Sequence, residues 1–374
     1  MGNKKSAMQR LNDLILEKNS RICAGLDPTW EIVPNALKKE IIDDEEIDVN
    51  AEDTRVVYQE EVIAEYCCRY IEAIKDVVPA IKINSAFFEQ EQMEALYLAI
   101  AHEAKKAGLF VIGDVKRADI GNTSQAYAKA FLRADSPFDA ITINPYFGTD
   151  GVMPFLKLAK ENGKGVFILI KTSNKSSAEI QDLRLENGRF VYEAVADLTV
   201  KWAEEVDPEN FDEDEEEGYK SPEYPMVGAV VGATHPTQAK KLVYDMGQIF
   251  FLVPGYGAQG ATADDVACNF DRYGGVGAIV NSSRGIMAAY KNERWKDKYS
   301  EETWAEAAKA EAIRATEEIN QAINKYYDEN ICQKNVYTTK ESDDTSGIKK
   351  VLCCEDHDGV GDEEFYDSIR GLGN

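Results

Sequence analysis

Short apolar runs rich in β-branched residues recur along the chain, and most are followed by a stretch whose apolar positions return with helical spacing. Eight runs read as strands: residues 21–27 (RICAGLD), 80–84 (AIKIN), 109–115 (LFVIGDV), 138–144 (FDAITIN), 165–171 (GVFILIK), 225–233 (PMVGAVVGA), 248–254 (QIFFLVP) and 276–282 (VGAIVNS). Between them lie helical patterns such as VIAEYCCRYIEAIKDV, EQMEALYLAIAHEAKKAG and NGRFVYEAVADLTVKWAEEV, and EETWAEAAKAEAIRATEEINQAINKYY closes the series. Strand and helix in strict succession specify parallel pairing, and eight such units close most naturally into a (β/α)8, or TIM, barrel. An open doubly wound sheet is the alternative with the same alternation.

Two stretches interrupt the alternation. Residues 35–53 and 207–225 (DPENFDEDEEEGYKSPEYP) are rich in Asp and Glu and read as solvated insertions, because packed like charges repel. The barrel is assigned to residues 1–328, and residues 329–374 read as a polar, poorly ordered tail with neither strand nor long helix. DHDGVG in that tail is half of a calcium loop, but Val360 stands where an oxygen ligand belongs and Asp367 replaces the bidentate Glu, so no calcium is expected.

At 44% hydrophobic residues the chain can fill a core, which excludes wholly disordered and fibrous classes. Its 42 Lys and Arg against 67 Asp and Glu give a net charge of −25, a field that repels nucleic acid and anionic membrane surfaces. No run approaches the about 18 apolar residues of a membrane span. The basic start MGNKKSAMQR leads into the amphipathic LNDLILEKN instead of an apolar signal core, so a cytoplasmic location is expected. Seven cysteines without a CxxC support neither zinc nor a disulfide framework.

In a parallel barrel the chemistry gathers at the carboxyl ends of the strands. Those ends carry Asp27, Lys82, Asp114 with Lys116, Asn144, Lys171 with Thr172 and Ser173, Thr234 with His235, Pro254 with Gly255, and Ser283 with Arg284. A buried structural ion pair explains one or two such residues but not the whole ring. Within GDVKRADIGNT, Asp114 and Lys116 share one face of a strand and Asp119 follows within a turn of loop. Carboxylates on each side of Lys116 would keep it protonated, a fixed proton donor for a reaction that develops carbanion charge. VPGYGAQGAT then offers Gly255, Gly257 and Gly260 at a strand-to-helix turn, and NSSRGI adds the guanidinium of Arg284. Loops after the seventh and eighth strands are the usual phosphate site of this fold.

GDVKRADIGNT resembles the DxKxxDIxxT signature of orotidine 5′-monophosphate decarboxylases, and FLVPGYGAQG and VNSSRGI resemble that family's two phosphate-loop motifs. GLDPTW, KINSAFFEQ and IKTSN fit it at the first, second and fifth strands, and the longer-chain bacterial subgroup is the most similar. The resemblance spans about residues 10–325 and implies a barrel that decarboxylates orotidine 5′-phosphate without metal or other cofactor. It further implies that Asp27 binds the ribose hydroxyls, that Lys82 bridges ribose and carboxylates, and that Lys116 donates a proton within an array with Asp114 and Asp119. Asp119 and Thr123 would reach into the neighbouring subunit's site of a homodimer. Ser173 would read the pyrimidine edge, Gln259 would link phosphate and base, and Arg284 would grip the phosphate. Ile120, Pro254 and Ser283 complete the substrate-binding set. The chain departs from the family at Lys175, where a proline is common.

Three other readings compete. A magnesium-dependent barrel decarboxylase of sugar phosphates would carry a glutamate where Lys82 stands, and a cation there repels a divalent metal. A Schiff-base aldolase needs a lysine of depressed pKa, against the pull of flanking carboxylates. A non-catalytic phosphosugar-binding barrel gains nothing from carboxylates facing an anionic ligand. His102 and His357 read as structural or surface residues, and His235 could line the mouth or cap the following helix.

Overall fold

Eight parallel strands close the barrel, each paired with its neighbour in sequence and the last with the first. They are β1 (Ile22–Leu26), β2 (Ala80–Asn84), β3 (Phe110–Arg117), β4 (Ala140–Ile143), β5 (Gly165–Lys171), β6 (Val227–Val231), β7 (Phe250–Pro254) and β8 (Ala278–Ser282). The pairing of Cys23 with Asn281 closes the circle and rules out the open sheet. The computed structural model describes residues 5–43, 47–211, 223–270 and 275–338.

The strands are mostly apolar because both of their faces are covered. One face packs inward, where Cys23, Ala80, Phe110, Ile112, Phe167, Phe250 and Ile279 fill the barrel. The other packs against the helix ring through residues such as Ile22, Ile81, Val111, Ile141 and Phe251. A first helix, Ala7–Lys18, plugs the amino-terminal end with Met8, Leu11 and Ile15. It starts where the Ser6 hydroxyl accepts from the Gln9 amide at 3.0 Å. With this end of the barrel core filled, the strand-end charges singled out in the sequence lie at the opposite, carboxyl-terminal mouth.

The first acidic stretch is more structured than its charge suggests. Asn35–Ile42 forms a helix that buries Leu37 and Ile42, and the Trp30 indole donates to the carbonyl of Val49. Lys39 and Glu40 point outward, whereas Lys38 is itself buried, its ammonium 4.7 Å from the centre of the Trp30 ring, so the charges do not prevent packing. The second stretch is anchored at its start by Asp207, which is 1% exposed and accepts from the Met226 amide. Residues 212–222 lie outside the described residues. The closing helix also corrects an expectation, since it runs Trp304–Thr338 and carries a boundary at 328 inside it. ENICQKNVYT, residues 329–338, holds neither Gly nor Pro to stop it. The proposed tail and its calcium-loop fragment otherwise lie outside the described residues. No helix among the described residues is long and apolar enough to cross a membrane.

Candidate active site

Asp114 is the hub of the barrel mouth. Lys82 Nζ donates to its Oδ2 at 2.6 Å, Lys116 Nζ to its Oδ1 at 2.6 Å, and the Thr142 hydroxyl to Oδ1 at 2.9 Å. The side chains of Lys82 and Asp114 are each 7% exposed, whereas that of Lys116 is 50% exposed and faces the opening. Burial alone would push the Asp114 carboxyl up, but the two ammonium groups outweigh it and hold it well below the usual carboxylate range. For Lys82 burial pulls down, and the charges of Asp114 and then Asp27 overcome it, so its ammonium is held above its ordinary value. The sequence suggests an ammonium between two carboxylates. Within one chain the order is reversed, with one carboxylate between two ammonium groups.

Asp119 accounts for the difference. It sits half-buried before the helix Gly121–Phe131, where its Oδ1 accepts from the amide of Ile120 at 2.8 Å, and it forms no ion pair among the described residues. Lys116, for its part, is not aimed by simple strand alternation. The β3–β4 register shifts between Gly113 and Arg117, and Lys116 adopts φ 41°. Such a bulge re-aims a side chain at a cost of about 1–3 kcal/mol for a non-glycine residue in the left-handed region. Thr142 holds it there, its Oγ1 accepting from the Lys116 amide at 3.1 Å while donating to Asp114.

The other side of the mouth is built by close backbone approaches. A Cβ on Gly25 would lie 1.9 Å from Ser283 Oγ, so only glycine lets the end of β1 meet the turn that precedes Arg284. Gly255, at φ +113°, sits against Ser173 and the Gln259 side chain, which brings the β5 and β7 ends together. Asp27 follows β1 with one carboxylate oxygen buried and unpartnered, a position that calls for a donor from a ligand. The helix after β7, Ala263–Ala267, is less available than its motif suggests. Its first turn is closed by a Thr262–Asp265 capping box, so a carboxylate already occupies its amino terminus. The loop residues 257–260 are exposed, and Arg284 is exposed at the start of its own short helix, so these are the groups free to meet an anion. A cavity of about 320 Å³ lined by Arg10, Asp13, Lys105 and Asp139 opens at the opposite end of the barrel, away from every one of these groups. Among the described residues no cluster of three His, Cys, Asp or Glu side chains is placed to hold a metal ion.

Residues 20–299 match the Orotidine 5′-phosphate decarboxylase / HUMPS family. The chain belongs to that family. A relative named orotidine 5′-phosphate decarboxylase from Rhodopirellula baltica is 38% identical over 319 residues, covering 83% of this chain and 97% of its own. One of the same name from Clostridium tetani is 36% identical, covering 83% and 96%. The solved structure of Leishmania donovani OMP decarboxylase superposes with a TM-score of 0.60 at 29% identity, covering 85% of this chain and 99% of that one.

On this decarboxylase-family barrel the remaining candidates divide. Lys82, Asp114 and Lys116 meet; Ser173, Pro254 and Gln259 gather around Gly255; Ser283 and Arg284 follow β8. Asp119 and Ile120 precede the helix Gly121–Phe131 and Thr123 lies in its first turn; among the described residues Asp119 forms no ion pair with Lys82 or Lys116. Lys171 leaves the ring, being fully buried and paired with Asp182 at 2.7 Å. His235 occupies the position before the helix Pro236–Met246 without capping it; its Nε2 lies 3.0 Å from the Thr172 carbonyl. Burial and the Lys171 charge lower its pKa. Thr142 escaped the sequence reading, though a threonine inside the apolar run AITI, 1% exposed, was the signal available.

Proposed function

We propose that this chain converts orotidine 5′-phosphate to uridine 5′-phosphate without a metal, with Lys116 giving its proton to C6. The reaction class, a carboxy-lyase of pyrimidine biosynthesis, comes with the family and with relatives named for that activity. One observation carries the mechanism: Asp114 is kept ionised between Lys82 and Lys116. The substrate carboxylate lodges against this array, carbon dioxide departs, and the electron pair left on C6 takes a proton from the exposed ammonium of Lys116. Asp27 takes the ribose hydroxyls, Ser173 the pyrimidine edge, and Gln259, Pro254, Ser283 and Arg284 line the phosphate end. A magnesium-dependent sugar-phosphate decarboxylase is disfavoured by the Lys82 ammonium, which stands 2.6 Å from Asp114, where it repels a divalent ion.

The same reading makes the enzyme a homodimer in which Asp119, Ile120 and Thr123 complete the partner's site. Support comes from an apolar rim on one chain: Ile120 is 55% exposed, Tyr146 79% and Phe147 50%. Such a rim beside an unpaired carboxylate suits burial against a second copy. The test is loss of orotidine 5′-phosphate absorbance with purified full-length protein in excess chelator. Turnover is expected; none overturns the activity, and turnover restored only by magnesium overturns the metal-free mechanism.

A further inference from the structure

One polar network at the mouth takes no part in the proposed chemistry. Tyr256 lies in the loop after β7 and is 6% exposed, whereas the four residues after it, Gly257 to Gly260, are exposed. Its hydroxyl donates to Glu318 of the closing helix and accepts from Arg314 Nη2 at 3.3 Å. Arg314 clasps Glu311 through Nε at 2.8 Å and Nη2 at 2.6 Å, and donates Nη1 to Glu318 at 2.6 Å. Glu311 also accepts from the Trp295 indole at 2.7 Å, and Trp295 belongs to the excursion after β8. Both loops on the phosphate side are therefore tied to one helix.

The loop itself is organised as a flap on a stem. Tyr256 bridges to Ala261, and the Gly257 amide donates to the Ala261 carbonyl at 2.9 Å. Gln259 rides on the exposed part between these two ends. A phenyl ring would fill the buried volume under the stem as well as a phenol does. A buried hydroxyl adds a desolvation cost that only its partners offset. Burial, with the bond to Glu318 adding to it, pushes the Tyr256 hydroxyl up to about 12, so it stays protonated and donating at neutral pH.

We propose that Tyr256 is a positioning residue whose hydroxyl, held by Glu318 and Arg314, clamps the stem of this flap so that Gln259 and the loop amides meet the substrate phosphate in register. The proposal rests on the reading that this loop and Arg284 hold the phosphate. It places control of phosphate affinity partly on the closing helix, more than fifty residues along the chain from the loop.

The test is Tyr256→Phe in the full-length protein, assayed with orotidine 5′-phosphate and with the nucleoside orotidine. Losing a hydrogen bond to a charged partner should lower kcat/KM for the nucleotide about 10-fold to 100-fold, chiefly through KM. Nucleoside turnover should stay within about twofold, which also shows that the variant is folded. Glu318→Leu, which removes the acceptor of the Tyr256 hydroxyl, should give the same split, and it stands in if Tyr256→Phe does not fold. Equal loss with both substrates, or loss with neither, overturns the proposal. Arg284→Ala run alongside separates the two possible failures. If it too fails to distinguish nucleotide from nucleoside, the phosphate reading is at fault; if it distinguishes them and Tyr256→Phe does not, only the clamp is wrong.

Discussion

Replacing Gly25 by alanine tests whether the meeting of β1 and β8 holds the phosphate arm in place. The added Cβ would lie 1.9 Å from Ser283 Oγ, 2.7 Å from its Cβ and 2.9 Å from its Cα. Rotating the serine clears the hydroxyl but not the backbone carbon, and non-bonded carbons need about 3.5–4.0 Å. The backbone at Ser283 must therefore retreat by on the order of 1 Å, and it carries Arg284 with it. A displacement of that size at a positioning group costs on the order of 10²-fold in rate, and overpacking costs about 1–3 kcal/mol of stability. Steady-state kcat/KM with orotidine 5′-phosphate and the urea midpoint measure the two effects separately. Adding Ser283→Gly removes Oγ and Cβ and leaves only the clash with the backbone, so the double variant should regain part of the lost stability. A Gly25→Ala protein with native midpoint and kcat/KM within about threefold of native would refute the packing argument.

Lys116→Ala should lower kcat by more than the about 10²-fold to 10³-fold typical of losing one preorganised donor, with the fold intact by circular dichroism; a variant keeping over about a tenth of native kcat would make the array structural. Lys82→Met leaves Asp114 buried with Lys116 as its only cation, at a cost of about 3 kcal/mol at neutral pH. Because the Asp114 pKa is depressed on folding, the stability it contributes is present above the unfolded value of about 4 and is lost as pH falls through the folded value. The native-to-variant gap in urea unfolding should thus hold from about pH 7 down to about 4 and narrow below it, and a gap that stays constant below about pH 4 counts against the linkage. Lys116→Ala and Asp119→Ala homodimers should both be inactive, while purified mixed dimers carry one intact site of two and should recover about half of native activity. Mixed dimers as inactive as their parents would return Asp119 to its own chain.

The strands were legible because a closed parallel barrel buries both faces of each one, so each is built on a short, mostly apolar run. The candidate site residues stand out for the same reason: Lys82 and Asp114 are charges within apolar runs, and Arg284 follows one. What the pattern hid depends on backbone geometry or on partners far apart in sequence. Alternation places Lys116 beside Asp114 for the wrong reason, since the bulge and a left-handed φ do the aiming. Lys171 breaks its run as plainly as Lys82 does, yet it pairs with Asp182, a partner eleven residues on in an irregular segment. Gly25 reads as one more small residue until Ser283, on the last strand's turn, is seen against it. The helix through residue 338 was missed because polarity was read as disorder where no helix breaker stands.

The arrangement around Asp114 also explains how a carboxylate can face an anionic substrate without excluding it. Lys82, Asp114 and Lys116 together carry one net positive charge. A bound substrate carboxylate brings that sum to zero. In the proposed reaction carbon dioxide leaves as a neutral molecule, Lys116 gives its proton to C6 and becomes neutral, and the sum is zero again. In the proposed homodimer a second copy's Asp119 lowers both sums by one and leaves them equal. No charge is created or destroyed between bound substrate and bound product; it moves only from the carboxylate to C6 and is met there by a proton already in place. In a mouth walled by apolar strands this matters, because net charge is costly where water cannot reorganise around it. It also assigns different duties to the two lysines. In the proposed reaction Lys116 moves the proton, whereas Lys82, buried and held in its charged form by Asp114 and Asp27, keeps the sum at zero. Lys82→Met should therefore weaken binding of the anionic substrate as well as stability, since the array it leaves no longer offsets the incoming charge.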